Sequence, residues 1–327
     1  MKALTVERPG SARVLDVEEP TIGPDEILIE SKAVGVCHSD FELINGTYII
    51  PVDYPTIPGH EWSGEVAEIG SGVEGFAPGD RVVGECVIGS DHFGFSIPGA
   101  AADYFKVRPE WLHRLPEELS HTQGALVEPF TVAYYATVAA EGIDASDTVV
   151  VLGAGPIGLC CLAAVRGRGG RALVVDPVPE RRSVAETMGA DAALDPGEGL
   201  AETVAELTNG RLAEVVIEAS GATGAMAQAL DLAGHEGRVV FVGIDTGNRA
   251  SAALGQMQSK ALRARGIIGS PNVWPRALRF LARAEIDLSP VVTARFPLQQ
   301  GADALEAAKD VTRNIKVHVE PSNGARS

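Results

Sequence analysis

Three separated stretches carry the residue types that bind a divalent metal: Cys37 in "GVCHSD", His60 with Glu61 in "PGHEWSGEV", and Glu128 in "ALVEPFTVAYYA". A thiolate, an imidazole and a carboxylate form a three-ligand set for zinc and leave the fourth tetrahedral position open for water or substrate, as catalytic rather than structural sites do. Each stretch alone is weak, because a single cysteine near a single histidine is usually structural. A second chemistry sits in "VLGAGPIG", where Gly153, Gly155 and Gly158 fit G-x-G-x-x-G between an apolar strand and an apolar helix. Gly153 permits a tight turn, Gly155 lets a pyrophosphate approach the backbone, and Gly158 lets helix and strand pack closely. Pro156 and Ile157 open the helix whose N-terminus faces the phosphates. The next strand ends in Asp176, 23 residues after Gly153. A carboxylate there accepts from both ribose hydroxyls and repels a 2′-phosphate, which favours NAD over NADP. Arg181 and Arg182 follow closely, and an arginine near this strand end can serve NADP.

These residues must be positioned by a chain of 327 residues, 45% hydrophobic and 22% charged, which suits a soluble globular protein of about two domains. The formal net charge is −17, from 44 acidic and 27 basic residues, and no stretch gathers Lys or Arg into a patch. Nucleic acid and anionic membrane are therefore not expected partners. The start, "MKALTVERPGS", lacks the apolar core of a secretory signal and reads as a strand and a turn. The uncharged run "TVVVLGAGPIGLCCLAAV", 148–165, touches the lower length limit for a membrane span, but three glycines and a proline split it into strand, turn and helix start. The cysteines are Cys37, Cys86, Cys160 and Cys161, too few and too oddly spaced for a disulfide framework, so a reducing cytoplasm is the expected setting. Cys160 and Cys161 read as small core residues.

From about 145 to 270 the sequence alternates strand-like and helix-like segments. The strands are "TVVVLG" (148–153), "ALVVD" (172–176), "AALD" (192–195), "EVVIEA" (214–219), "RVVFVG" (238–243) and "ARGIIG" (264–269). Val/Ile runs without alternation are what strands covered on both faces require, so the segment predicts a doubly wound parallel sheet, with Gly243 at the end of the fifth strand counted among the cofactor-binding residues. Residues 1 to about 130 have short strand-like segments between turns rich in Pro, Gly and Asp, which predicts an irregular β-rich domain. After 271 come a helix, "PRALRFLARAEI", and a strand, "NIKVHVE", expected to return to the first domain.

In this order the motifs "GVCHSD", "GHEWSGEV", "GDRVV", "VEPFTVAYYA" and "VLGAGPIG" closely resemble the zinc-dependent medium-chain dehydrogenase/reductase family, over essentially the whole chain. The resemblance implies a GroES-like catalytic domain over 1–131, a Rossmann dinucleotide-binding domain over 132–271 and a return segment over 272–327 that completes the catalytic domain. It implies a cytoplasmic, homo-oligomeric enzyme, dimer or tetramer. Cys37 and His60 match the family's first two zinc ligands. Glu128 matches the third position, where alcohol dehydrogenases often have Cys and sorbitol-type dehydrogenases have Glu. In the family the acid after the histidine, here Glu61, either coordinates directly or sits just behind the metal. Asp40 matches an acid that holds the imidazole of His60, and Ser39 the hydroxyl that takes the proton from the substrate alcohol.

Two departures matter. Family members often carry a four-cysteine structural zinc lobe after "GDRVVG", whereas only Cys86 stands between that stretch and "AADYF". One cysteine cannot hold that site, so one catalytic zinc, no structural zinc and a shortened lobe are expected. The outer end of the proton relay, often a His five residues after the first cysteine, is here Glu42, which either relays, faces substrate or is a solvated acid. Glu at the third position and the "EPF" context look like polyol, sugar and cyclitol dehydrogenases, and "GHEWSG" resembles the aminocyclitol dehydrogenases. The expected substrate is a small polyhydroxylated molecule, oxidised at one secondary alcohol to a ketone. Candidate pocket residues are Glu42, Tyr48, Asp91, His92, Phe95 and Trp274. The alternatives are a zinc-free quinone or enone reductase of the same fold, a simple secondary-alcohol dehydrogenase, and a non-enzymatic NAD-binding protein.

Overall fold

A computed structural model describes residues 1–321. The chain forms two compact units, one built from Met1–Glu128 and the chain from Val292 onward, the other from Pro129–Val291.

The second unit is a six-stranded parallel sheet in the order Ala192–Leu194, Arg171–Val175, Thr148–Leu152, Ala213–Glu218, Ala233–Phe241, Arg263–Gly266. All six strands expected from the sequence are present. Every residue of Thr148–Leu152 is buried, as its uninterrupted apolar run demands. Leu173, Val175, Val216 and Val239 pack with Val150 and Leu152 against Leu200, Val204, Ala229 and Leu230. The chain first steps outward on one side of Thr148–Leu152 and then on the other, so the C-terminal end of that strand is the topological switch point where open α/β sheets bind ligands. The 18-residue uncharged run divides here into that strand and the helix Pro156–Gly167. Among the described residues no helix is long and apolar enough to cross a membrane.

Helix Trp274–Arg283 buries Trp274, Ala277, Leu278 and Leu281. Its Phe280 stacks on Phe130 at 6.2 Å and meets Tyr134 at 5.3 Å. These aromatic contacts hold residues 272–291 with the second unit, so the return to the first begins at Val292 rather than at the start of the expected return segment.

The first unit is a seven-stranded sheet. Its path runs Val292–Pro297, Lys316–Glu320, Ile27–Val36, Glu61–Ile69, Arg81–Gly84, Leu112–Arg114, with Tyr104–Val107 also paired to Ile27–Val36. Val292–Pro297 runs parallel to Lys316–Glu320, and helix Gly301–Lys309 makes the crossover. Neither that strand nor that helix was expected from the sequence. The antiparallel registers matter for function: Val317 lies opposite Val36, and Gly35 opposite both His318 and Glu61. Three chain segments far apart in sequence therefore meet at one end of one sheet.

His318 is fully buried there, with neither ring nitrogen hydrogen-bonded. Burial first, then Lys316 and Arg295, push its pKa down to about 3. A histidine kept neutral by the fold is protonated more readily when unfolded. Its contribution to stability is complete above the ordinary histidine pKa of about 6.5 and is lost as pH falls from there toward about 3. Denaturant melts of wild type and His318→Leu across this window should give a stability difference that changes in favour of the variant as pH drops; a difference independent of pH refutes the buried neutral imidazole.

Candidate metal and dinucleotide sites

Cys37 follows strand Ile27–Val36 and stands, in extended conformation, before helix His38–Asn45. Asp40 reaches back along the first turn, its Oδ2 accepting from the Cys37 backbone N–H at 2.8 Å, as an acid three residues into a helix commonly does. Its Oδ1 faces His60 Nδ1 at 3.6 Å. Both atoms are buried and otherwise unpartnered, so Asp40 joins the cysteine to the histidine and leaves His60 Nε2 for another ligand. Burial disfavours a charged imidazole, but Cys86, Asp40 and Cys37 outweigh it and hold His60 well above the ordinary histidine range. Burial pushes the Cys86 thiol up to about 12.

Glu61 is buried, and Lys316 Nζ donates to both of its oxygens, at 2.7 and 2.8 Å, and to the Val36 carbonyl at 3.1 Å. Gly35 makes room for this: a Cβ there would run into Glu61 Oε2. Burial works against the Lys316 ammonium, yet Glu61 first, then Cys37 and Asp40, raise its pKa above the ordinary lysine value. Donor atoms of Cys37, His60 and Glu61 all lie within 4.8 Å of one another. Glu128, in the first turn of helix Val127–Ala139, lies outside that trio. Burial raises its pKa to about 7; His60 and Lys316 act against the shift, while Glu61 and Asp40 add to it. A pocket with this much negative charge fits a cation, and its sulfur, nitrogen and oxygen donors are those of zinc.

Ser39 and Glu42 lie three residues apart on helix His38–Asn45, hence on one face, and both keep partial exposure. Tyr48 stacks on the buried Phe95 at 3.9 Å, and Phe95 in turn packs on His60 at 4.9 Å. Tyr48 Oη is 3.1 Å from His92 Nδ1. The other two pocket candidates lie elsewhere. Asp91 is exposed and lines a separate cavity of about 760 Å³ with Ile88, Ile97 and Trp111, which none of the metal-type donors lines. Trp274 is a buried residue of the second unit. Lys316 and the Tyr48–His92 pair are the site groups that motif reading did not bring out as such.

In the second unit Gly153 has φ +100°, and a Cβ on it would press on Ser220. A Cβ on Gly158 would overlap the Gly153 carbonyl, so strand, turn and helix pack this closely only with glycine. Gly155 caps helix Pro156–Gly167, with proline at its first position. The Asp176 carboxylate is held by Ala154 N–H at 2.7 Å and Val178 N–H at 2.8 Å. Arg182 is occupied by the Asp176 carbonyl and by Asp195. Arg181 instead lies over the turn, with Nη1 3.8 Å from Asp176 and equally far from where a Gly155 Cβ would be. Gly243 follows the fifth strand, where a Cβ would collide with Gly221.

The alcohol dehydrogenase GroES-like domain pattern matches residues 23–117, and the zinc-binding dehydrogenase pattern matches residues 156–283. The chain is 31% identical to a sorbitol dehydrogenase of Bacillus subtilis (strain 168) over 347 residues, covering 98% of each. The crystal structure of 2R,3R-butanediol dehydrogenase from Bacillus subtilis matches with a TM-score of 0.90 at 31% identity, covering 98% of this chain and 99% of that one. A structure from Sinorhizobium meliloti 1021, described as a zinc-binding dehydrogenase bound to NADP, matches with a TM-score of 0.88 at 29% identity, covering 98% and 99%.

Removing one member of a buried ion pair strands the other charge, at a cost of about 3–5 kcal/mol, whereas removing both is far milder. Lys316→Met should therefore destabilise the first unit strongly, and Glu61→Gln added to it should recover much of the loss. Denaturant melts of the two single variants and the double variant measure this coupling, and strictly additive effects refute it.

Proposed function

The chain belongs to the zinc-dependent medium-chain alcohol/sorbitol dehydrogenase family, and from that premise we propose that it interconverts a secondary alcohol of a polyol, sugar or cyclitol, aminocyclitols included, with its ketone, using NAD and one catalytic zinc. The observation that carries this reading is the convergence of Cys37, His60 and Glu61 within 4.8 Å, beside the orienting Asp40. We assign the metal to Cys37 and His60, with Glu61 and Glu128 as the carboxylates of the same pocket. No structural zinc is assigned. A polyol substrate agrees with the activities named for the sorbitol and butanediol relatives.

Zinc, when bound there, is a Lewis acid that can bring the pKa of a coordinated water from about 16 to about 7, and it acts likewise on a coordinated alcohol. Everything else falls to the chain. Asp40 fixes the His60 ring and with it the nitrogen presented to the metal. Lys316 balances the Glu61 charge. Ser39 takes the proton of the substrate hydroxyl, and Glu42, one turn further along the helix, carries it outward. The relay of Ser39 and Glu42 supplies the 10²–10⁴-fold typical of positioned proton transfer.

NAD, when bound, would accept the hydride. Asp176, held in place by two backbone N–H groups, would accept from the ribose hydroxyls, and Gly153, Gly155 and Gly158 would cradle the phosphates. Pro156 and Ile157 open the helix over that turn, Arg181 flanks it, and Gly243 closes the neighbouring strand end. Asp176→Ser should weaken NAD use and relieve repulsion of the 2′-phosphate. A wild type that prefers NADP, as the cofactor of the Sinorhizobium protein allows, transfers the decision to Arg181.

Metal analysis combined with NAD reduction across polyols, sugars, cyclitols and simple alcohols tests the whole reading. One zinc per chain and a clear kcat/KM preference for a ring or chain polyol are expected. Two zincs refute the single-site assignment, and no metal revives the zinc-free reductase. Isopropanol matching the best polyol makes the enzyme a simple secondary-alcohol dehydrogenase, and benzyl alcohol, a primary alcohol, matching it equally ends the polyol reading.

A further inference from the structure

The segment that stands where relatives often carry a four-cysteine lobe is built around His92. Its carbonyl accepts from the N–H groups of Phe95 and Ser96, both at 3.0 Å, and its own N–H donates to Ser96 Oγ at 2.8 Å. This compact turn presents two rings to the same partner. Phe95 stacks on Tyr48 with an interplanar angle of 8°, and the His92 imidazole meets the Tyr48 hydroxyl at 3.1 Å. The far face of Phe95 leads to His60, 4.9 Å between ring centroids. A hydrogen-bonded pair is thus held one aromatic ring away from the metal-type donors.

We propose that the Tyr48–His92 pair determines substrate specificity by recognising a second hydroxyl of the substrate, beyond the one that reacts. The inference rests on the dehydrogenase reading above and names the chemistry it selects. When Tyr48 donates to His92 Nδ1, its oxygen keeps lone pairs to accept with, and His92 Nε2–H is a donor. One acceptor beside one donor is the complement of a neutral hydroxyl group. Burial raises the Tyr48 pKa, so the phenol keeps its proton. An alcohol lacking the second hydroxyl leaves the remaining acceptor of Tyr48 and the remaining donor of His92 unfilled, which is how a polar pocket rejects an apolar analogue. The exposed Asp91, adjacent in sequence to His92, points into the other cavity and takes no part.

The test compares trans-cyclohexane-1,2-diol with cyclohexanol, which share a ring and differ by one hydroxyl. Each is read as a substrate by kcat/KM, or as a competitive inhibitor of the best polyol where turnover is slow. The wild type should favour the diol, and Tyr48→Phe, which keeps the stacked ring, should lower the diol-to-cyclohexanol ratio by about 10–100-fold, the range expected for leaving a buried polar group unpaired. His92→Phe, which removes the partner from the other side, should lower the same ratio and stands in if Tyr48→Phe does not fold. Equal losses on both compounds, or an unchanged ratio in both variants, overturns the proposal while leaving the dehydrogenase reading intact. A wild type indifferent to the second hydroxyl removes the polyol reading and this proposal together.

Discussion

The buried pairing of Lys316 with Glu61 is the interaction on which the rest of the first unit depends. Taking an ammonium and a carboxylate out of water costs several kcal/mol each, and their attraction offsets that only when the geometry is good and spare hydrogen-bonding capacity is filled. Both conditions hold, since Lys316 reaches the two carboxylate oxygens and the Val36 carbonyl at once. The three groups come from strands Lys316–Glu320, Ile27–Val36 and Glu61–Ile69, and they meet only in the observed register. A slip of one residue turns every side chain to the other face of a sheet. Here it would strand a charge as well. The pair therefore requires that the end of the chain return to its beginning, and it ties the carboxylate beside His60 to the last strand of the sheet.

The charge of the pocket follows from that arrangement. Asp40, Glu61 and Glu128 are carboxylates gathered with the Cys37 thiol around His60, and Lys316 is the fixed cation named among the groups that shift the pKa of Glu128. Burial, with Glu61 and Asp40 adding to it, lifts Glu128 to about 7, while His60 is drawn upward by its neighbours against its own burial. Uncompensated buried charge is among the most expensive features a fold can carry. A protein with no cation to bind would gain by replacing one of these acids with an apolar residue. A divalent ion would offset that cost, and sulfur and imidazole donors favour zinc over the hard cations.

How much of this was legible in the sequence depended on periodicity. The dinucleotide-type sheet was readable strand by strand because parallel strands covered on both faces are plain Val/Ile runs, and its glycines are dictated by backbone contacts that no other residue permits. "NIKVHVE" was readable as an alternating strand that returns to the first unit, but its pattern does not give its burial. Its alternation of Lys316, His318 and Glu320 with apolar residues reads as a strand with one wet face, yet Lys316 and His318 are both buried. Lys316 looks into the site, His318 is buried without a hydrogen bond, and only Glu320 keeps exposure, beside Arg295. Val292–Pro297 and the helix Gly301–Lys309 escaped because the strand is half exposed along its length and the helix buries only Gly301, Ala304 and Leu305. Tyr48 and His92 were visible as residue types, but no spacing rule pairs positions 44 apart.

The shortened lobe links these points. In a chain with the cysteines for a second zinc, that metal would order the segment between "GDRVVG" and "AADYF". Here ordering is done by hydrogen bonds of the His92 backbone and by burial of Phe93 and Phe95. Phe93 packs against Trp62 and Phe105 of the sheet, at 5.9 and 5.6 Å. Phe95 packs instead against Tyr48 and His60. One short turn is thus anchored through one phenylalanine to the core and through the other to Tyr48 and His60. A metal-held lobe can be ordered independently of the active site; a turn held by aromatic packing cannot. The order of this segment is therefore coupled to the packing around His60.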